Sequence, residues 1–282
     1  MSQNSNANLD AQLMRACEKG SIESVKQLLS SGANPDAHDE YHGTALMHAA
    51  HHGYIGIVKL LLRSGANVNA VEDNGGTALQ WAVVGAPTED PEKRLPMTEF
   101  LIIHGAHVNT ADTSGKTPLM EAANNGDAKT TKLLLEHGAN IGAKNHRGET
   151  ALMWAASSDE FPAFQVLVER GANIHTRNNK GQTPLLVAAE NLCLDCIKLL
   201  LTHGADLHAR DKNGRNALHW VMIGIRSDAG RAFEGAPEIV QFLLAEGVDP
   251  NQKDSDGRTV LDEAILHKRT AVLDLLRHHG AR

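Results

Sequence analysis

The chain has 282 residues, of which 41% are hydrophobic, 22% charged and 4% aromatic, and it carries a formal net charge of −7. That balance is ordinary for a folded soluble protein, the negative charge speaks against nonspecific nucleic-acid binding by the chain as a whole, and no apolar run approaches the roughly 20 residues of a membrane-spanning helix. So few aromatics exclude a deep aromatic core and point to thin layers built from Leu, Val, Ile and Ala.

The chain opens on "MSQNSNANLD", which is polar and lacks the basic-then-apolar order of a secretory leader. Residues 1–8 are expected to form a disordered tail. From Leu9 the segment "LDAQLMRACEKGSIESVKQLLSSGAN" reads as a weak copy of a pattern that sharpens downstream. A Thr- or Asn-led step ending in Leu begins at Thr44, Thr77, Thr117, Thr150, Thr183, Asn216 and Thr259, with spacings of 33, 40, 33, 33, 33 and 43. A helix-ending glycine follows at Gly65, Gly105, Gly138, Gly171, Gly204, Gly247 and Gly280, and the next Thr or Asn always stands 12 residues beyond it. All variation in length therefore falls between the Thr and the Gly.

Each step has a physical reading. The Thr hydroxyl caps free amides, and a following Pro suits the first helical turn because its missing N–H would have no partner there. Small pairs such as Ala49-Ala50, Ala122-Ala123 and Ala188-Ala189 allow close helix approach. A second helix carries "VKLLL" or "IKLLL", and the Gly ends it in a left-handed conformation. One such hairpin buries too little to fold alone, so stability comes from stacking, at about 1.5–3 kcal/mol per buried Leu.

The segments "GTALMHAAHHGYIGIVKLLLRSGANVNA", "KTPLMEAANNGDAKTTKLLLEHGAN" and "QTPLLVAAENLCLDCIKLLLTHGAD" resemble ankyrin repeats. The resemblance implies an all-α repeat solenoid of helix-turn-helix repeats with β-hairpin fingers and a groove that binds proteins. It organises residues 9–282 as a single domain of about eight repeats, starting near 9, 44, 77, 117, 150, 183, 216 and 259. Polar residues at Ser24 and Gln27 in the first repeat, and Arg277 and His278 in the last, fit terminal caps with one wet face.

Two repeats are too long. The excess lies near 84–96, "VGAPTEDPEKRLP", and near 222–237, "MIGIRSDAGRAFEGAP". Gly, Pro and charge mark both as loops, with short helical extensions as an alternative. Either they contact a partner, through Arg226, Arg231 and Phe233 in the longer one, or Ile225 and Phe233 fold back on the scaffold.

The fingers carry the variable side chains. They begin with Tyr41 beside Glu40, pass through Glu72 and Asp73, and continue with Lys144, Arg147, Arg177, Lys180, Arg210, Lys212 and Arg215. The later cations are expected to meet an acidic surface on a partner protein, although neighbouring Asp211 and Asp254 neutralise part of the stripe. Trp81, Trp154 and Trp220 each stand four residues after the repeat's Thr or Asn. They are either packing between inner helices or binding anchors.

Other chemistry is sparse. No nucleophile–base pair or phosphate-cradling loop stands out, and no catalytic residue or cofactor is expected. Cys193 and Cys196 fall at core places of the repeat and read as buried hydrophobes rather than a redox pair. Three cysteines without framework spacing fit a reducing, cytoplasmic setting. His48 and His52 share a helix face near His38 and His42, which makes a histidine-dependent metal-binding protein the alternative reading. The expected state is a monomer.

Overall fold

The computed structural model describes residues 2–85, 94–157, 161–227 and 235–282, with side chains from residue 7 and none described at 226 and 227. The described backbone contains sixteen helices and falls into two compact units, Met1–His146 and Arg147–Arg282.

The N-terminal unit holds four helical hairpins. They pair α1 (Ser2–Glu18) with α2 (Ile22–Ser30), α3 (Ala45–His51) with α4 (Ile55–Arg63), α5 (Ala78–Val84) with α6 (Arg94–Ile103), and α7 (Pro118–Asn124) with α8 (Ala128–Glu136). The first helix of each pair is the inner one. α1 begins ahead of Leu9, because no Gly or Pro interrupts residues 2–18 and the helical backbone continues through the segment read as a tail. Thr44, Thr77 and Thr117 each accept the amide of the residue three positions on, the cap that the sequence leads one to expect.

The C-terminal unit repeats the plan. Its pairs are α9 (Ala151–Ala155) with α10 (Phe161–Glu169), α11 (Pro184–Glu190) with α12 (Leu194–Thr202), α13 (Ala217–Ser227) with α14 (Ala236–Ala245), and α15 (Val260–Leu266) with α16 (Thr270–His278). The fold is thus an all-helical repeat. Within each unit the core is a row of thin layers, with residues such as Leu46, Leu61, Leu79 and Leu134, or Leu185, Leu200, Leu218 and Leu243, almost fully buried.

The outer helices end as the sequence requires. Gly32, Gly65 and Gly105 have φ of 91°, 96° and 90°, and Gly204 and Gly247 have 86° and 95°. At the turn between helices the two units differ. Gly20, Gly53 and Gly126 supply the left-handed residue in one, whereas Leu192 and Lys268 adopt φ of 59° and 54° in the other.

Three expectations need correction. The fingers are turns, and among the described residues β-pairing is limited to the isolated bridges His38–Thr44 and Val71–Thr77. The second insertion starts not as the loop that its Gly, Pro and charge favour but as the alternative, a helical extension: α13 is eleven residues long, with Met222 and Ile225 buried on its continuation. Gly224 permits this, since a Cβ there would lie 2.0 Å from the Glu190 carbonyl oxygen of α11. Cys193 and Cys196, read as separate buried hydrophobes, form a disulfide with each other. Cys193 sits at the N-cap of α12 and Cys196 in its first turn, which brings their Cα atoms to 5.3 Å. Cys17 is buried and its thiol is pushed up to about 12, chiefly by burial and then by Glu18.

Candidate functional site

Six fingers are each held by one acidic or amide side chain. Asp39 accepts the amides of Tyr41 and Gly43, Glu72 those of Asn74 and Gly76, and Asp112 those of Ser114 and Lys116. In the C-terminal unit Asn178, Asp211 and Asp254 do the same for Lys180 and Gln182, Asn213 and Arg215, and Asp256 and Arg258. Successive fingers are tied by single backbone bonds, Asp73 to Tyr41 and Thr113 to Asn74 in one unit, Lys212 to Lys180 and Ser255 to Asn213 in the other. The fixed turn therefore sets two side chains in register: the one just before the Thr or Asn, on the finger, and the one four residues after it, on the inner helix.

In the C-terminal unit these are Arg215 and Trp220. The indole is 4% exposed, and its Nε1 finds no acceptor. The Arg215 guanidinium lies 5.9 Å from the ring centroid and its Nε is 3.7 Å from Asp254 Oδ2. Lys180 Nζ lies 5.5 Å from the same ring and 3.9 Å from Glu190. Beside them a cavity of about 520 Å³ is bordered by Lys180, Lys212 and Arg215 against Glu190 and Asp211, with Trp220 and Ile223 as its apolar wall.

The N-terminal unit carries the counterpart at Trp81, which is half-buried. His48 and His51 meet the indole edge-on at 5.2 and 5.6 Å. Burial, together with the charges of His52, His48 and Arg94, holds His51 below its ordinary value even though its ring bonds the Trp81 carbonyl. A cavity of about 320 Å³ opens here, bordered by Glu72, Asp112 and Glu121 against Lys116. Lys116 is ion-paired with Glu121. Burial raises the Asp112 carboxyl, but hydrogen bonds from Ser114 and Lys116 outweigh it and keep the group below the usual range.

The residues singled out from sequence divide by what they touch. Tyr41 is 64% exposed at its finger. Lys144 and Arg147 are exposed, as are Arg210 and Lys212, and no ion pair involves Lys212 among the described residues. Arg177 is committed to the fingers themselves, donating to the Gly181 and Arg210 carbonyls. Lys180 and Arg215 cover Trp220. Arg226 belongs to the backbone of α13, while its side chain, like Arg231 and Phe233, lies outside the described residues.

The histidines do not converge. His48 bonds Asp39 at 3.1 Å and lies 3.9 Å from Glu18, whereas His52 stacks on Tyr54 and His38 on His42. Among the described residues no group of three or more His, Cys, Asp or Glu is arranged to hold a metal ion. No described helix is long and apolar enough to cross a membrane. Sequence reasoning missed the Trp81 cavity. Its signal was Gly76 ahead of a tryptophan-bearing helix: like Gly43 it has no side chain, where Lys116, Glu149, Gln182, Arg215 and Arg258 stand in later repeats.

Comparison with known families returns two matches. A family model described as "Ankyrin repeats (3 copies)" matches residues 13–90, 89–178 and 163–226, and one described as "Ankyrin repeats (many copies)" matches residues 231–277. No curated protein matches the chain at a significant level.

Proposed function

The chain belongs to the ankyrin-repeat family, and from that premise we propose that it is a noncatalytic protein-interaction scaffold, an adaptor or inhibitor, that binds a partner between its fingers and inner helices. Ankyrin repeats generally serve protein–protein interaction, and the proposal is narrower: the partner offers an acidic surface to the C-terminal unit. The observation that carries it is the Trp220 cavity with its border of Lys180, Lys212 and Arg215. Lys212 and Arg210 are the exposed cations best able to meet partner carboxylates, since Arg177 is engaged with finger carbonyls. On this reading the protein works as a monomer; the Cys193–Cys196 disulfide removes the cysteine argument for a reducing compartment.

Affinity capture from the native cell extract with the full chain, set beside an Arg210→Glu/Lys212→Glu variant, tests the proposal. A protein retained by the parent and lost by the variant supports it, as does weaker retention at high salt. Retention that is equal in both chains and unchanged by salt overturns the acidic-surface reading. Catalytic turnover by the isolated chain overturns the noncatalytic one.

A further inference from the structure

The two tryptophan sites are built from matching parts, and one of them lacks a piece that the other contains. Trp81 and Trp220 each stand four residues after the repeat's Thr77 or Asn216. Before them, Gln80 and His219 each bond the carbonyl of the next finger, at Lys116 and Arg258. In both cases a cation of that next finger pairs with a glutamate on the helix after it, Lys116 with Glu121 and Arg258 with Glu263. The finger also carries a carboxylate that holds its own turn, Asp112 or Asp254; Asp254 pairs with Arg215 of the tryptophan's finger, and Asp112 lines the cavity beside Trp81.

The missing piece is the side chain between that carboxylate and the indole. In the C-terminal unit Arg215 fills the place, stacked on the Trp220 ring and paired with Asp254. In the N-terminal unit the same position is Gly76, and the cavity beside Trp81 lies there, reaching from the indole to Asp112. Glu72 replaces the shorter Asp211, and its Oε1 would lie 2.6 Å from a Cβ at Gly76. No described Lys or Arg stands over the Trp81 ring, which meets only the His48 and His51 imidazoles edge-on, unlike Trp220 with two cations. Three carboxylates border the cavity against one lysine, and that lysine is already paired with Glu121.

We propose that the cavity between Trp81, Glu72 and Asp112 is a binding site for an arginine side chain of a partner protein, which supplies from outside the guanidinium that Arg215 supplies to Trp220 from within the chain. A guanidinium fits for three reasons. It stacks on an indole face by cation–π attraction. Its planar fork of donors matches a carboxylate edge. The charge of Glu72 and Asp112 favours a cation where the bordering lysine is already matched. The site has the opposite charge preference to the Trp220 cavity and stands independently of the acidic-partner proposal.

The full chain labelled with nitrogen-15 gives one indole N–H signal for each of Trp81, Trp154 and Trp220, and a Trp81→Phe variant assigns the first. Titration with acetyl-Gly-Arg-Gly-amide should move the Trp81 signal saturably and leave Trp220 in place, while acetyl-Gly-Gln-Gly-amide should move neither. Asp112→Asn should weaken the response by about threefold, the scale of one exposed ion pair, with melting unchanged, because Asn178 already holds a finger in the same way. Glu72→Asp/Gly76→Arg, which copies the Asp211/Arg215 finger, should abolish the response. An unmoved Trp81 signal, an equal response to the glutamine peptide, or a folded Asp112→Asn chain that binds as tightly as the parent overturns the proposal.

Discussion

The repeats around Trp81 and Trp220 share a tryptophan, a cation–glutamate pair at the following finger and an insertion after the inner helix, yet they present opposite charges. In the N-terminal unit the residue before the Thr is Gly76, and the indole is left half-buried beside carboxylates. In the C-terminal unit it is Arg215, and the indole is covered by cations. The lesson is that repeat register fixes where side chains go, while one position per finger decides whether a site is filled by the chain or left for something else. A second contrast runs through glycine. Gly85 and Gly224 both stand eight residues after the repeat's Thr or Asn. Gly85 ends α5 with φ of 62° and ψ of 154°, whereas Gly224 lets α13 continue past the Glu190 carbonyl.

The largest expected effect breaks this glycine pair. Gly224→Ala should cost about 3 kcal/mol in urea unfolding, because a backbone carbonyl cannot yield as a side chain can. Gly85→Ala should cost about 2 kcal/mol, through backbone strain in a region open essentially to glycine alone. Equal small losses at both positions would show that α13 is not packed against α11 as described.

Next in size is the turn between helices. Leu192 and Lys268 hold the left-handed conformation that Gly53 and Gly126 hold in the other unit. Left-handed strain of about 1–2 kcal/mol, less the extra chain entropy of glycine at about 0.5–1 kcal/mol, leaves a net gain of about 0–1.5 kcal/mol for Leu192→Gly. A rise in the urea midpoint checks it; a fall would mean that the Leu192 side chain contributes more packing than its turn costs.

The smallest effect concerns acid. Burial is the main cause that lowers His219, and it outweighs the Arg258 carbonyl bond and the charges of Asp254 and Glu263. In the unfolded chain the same group protonates near 6.5, so the unfolded state binds more protons as pH falls below that value. Stability is therefore fully present above 6.5 and declines as pH drops toward the lower folded value. His219→Gln copies Gln80, which makes the same contact to the next finger. It should reduce the acid-induced loss in melting temperature while His51 keeps its own share. An unchanged pH slope would count against a neutral, buried His219.

Much of the fold was legible because its signals are local. Thr44, Thr77, Thr117, Thr183 and Thr259 cap helices by their own hydroxyls, and the glycines that end outer helices need nothing distant. What escaped depended on neighbours. Arg177 looks like a free cation in sequence, but the carbonyl of Arg210, one repeat later, takes its guanidinium. For residues Met222 to Ser227 glycine and charge leave loop and helical extension both open, and buried Met222 and Ile225 with the close passage at Gly224 make them helix. Cys193 and Cys196 align with core places, and the alignment hides that one helical turn brings them together. The Trp81 cavity escaped because an absent side chain is visible only when repeats are compared position by position.

The most direct test of that comparison moves the site. Lys180→Tyr/Arg215→Gly gives the C-terminal unit the residues that stand at Tyr41 and Gly76, and so uncovers Trp220. Titrated with acetyl-Gly-Arg-Gly-amide, this variant should show a saturable shift of the Trp220 indole signal that the parent chain lacks. If the variant melts like the parent and its Trp220 signal stays still, the residue before the repeat's Thr or Asn does not control access to the tryptophan, and the account fails.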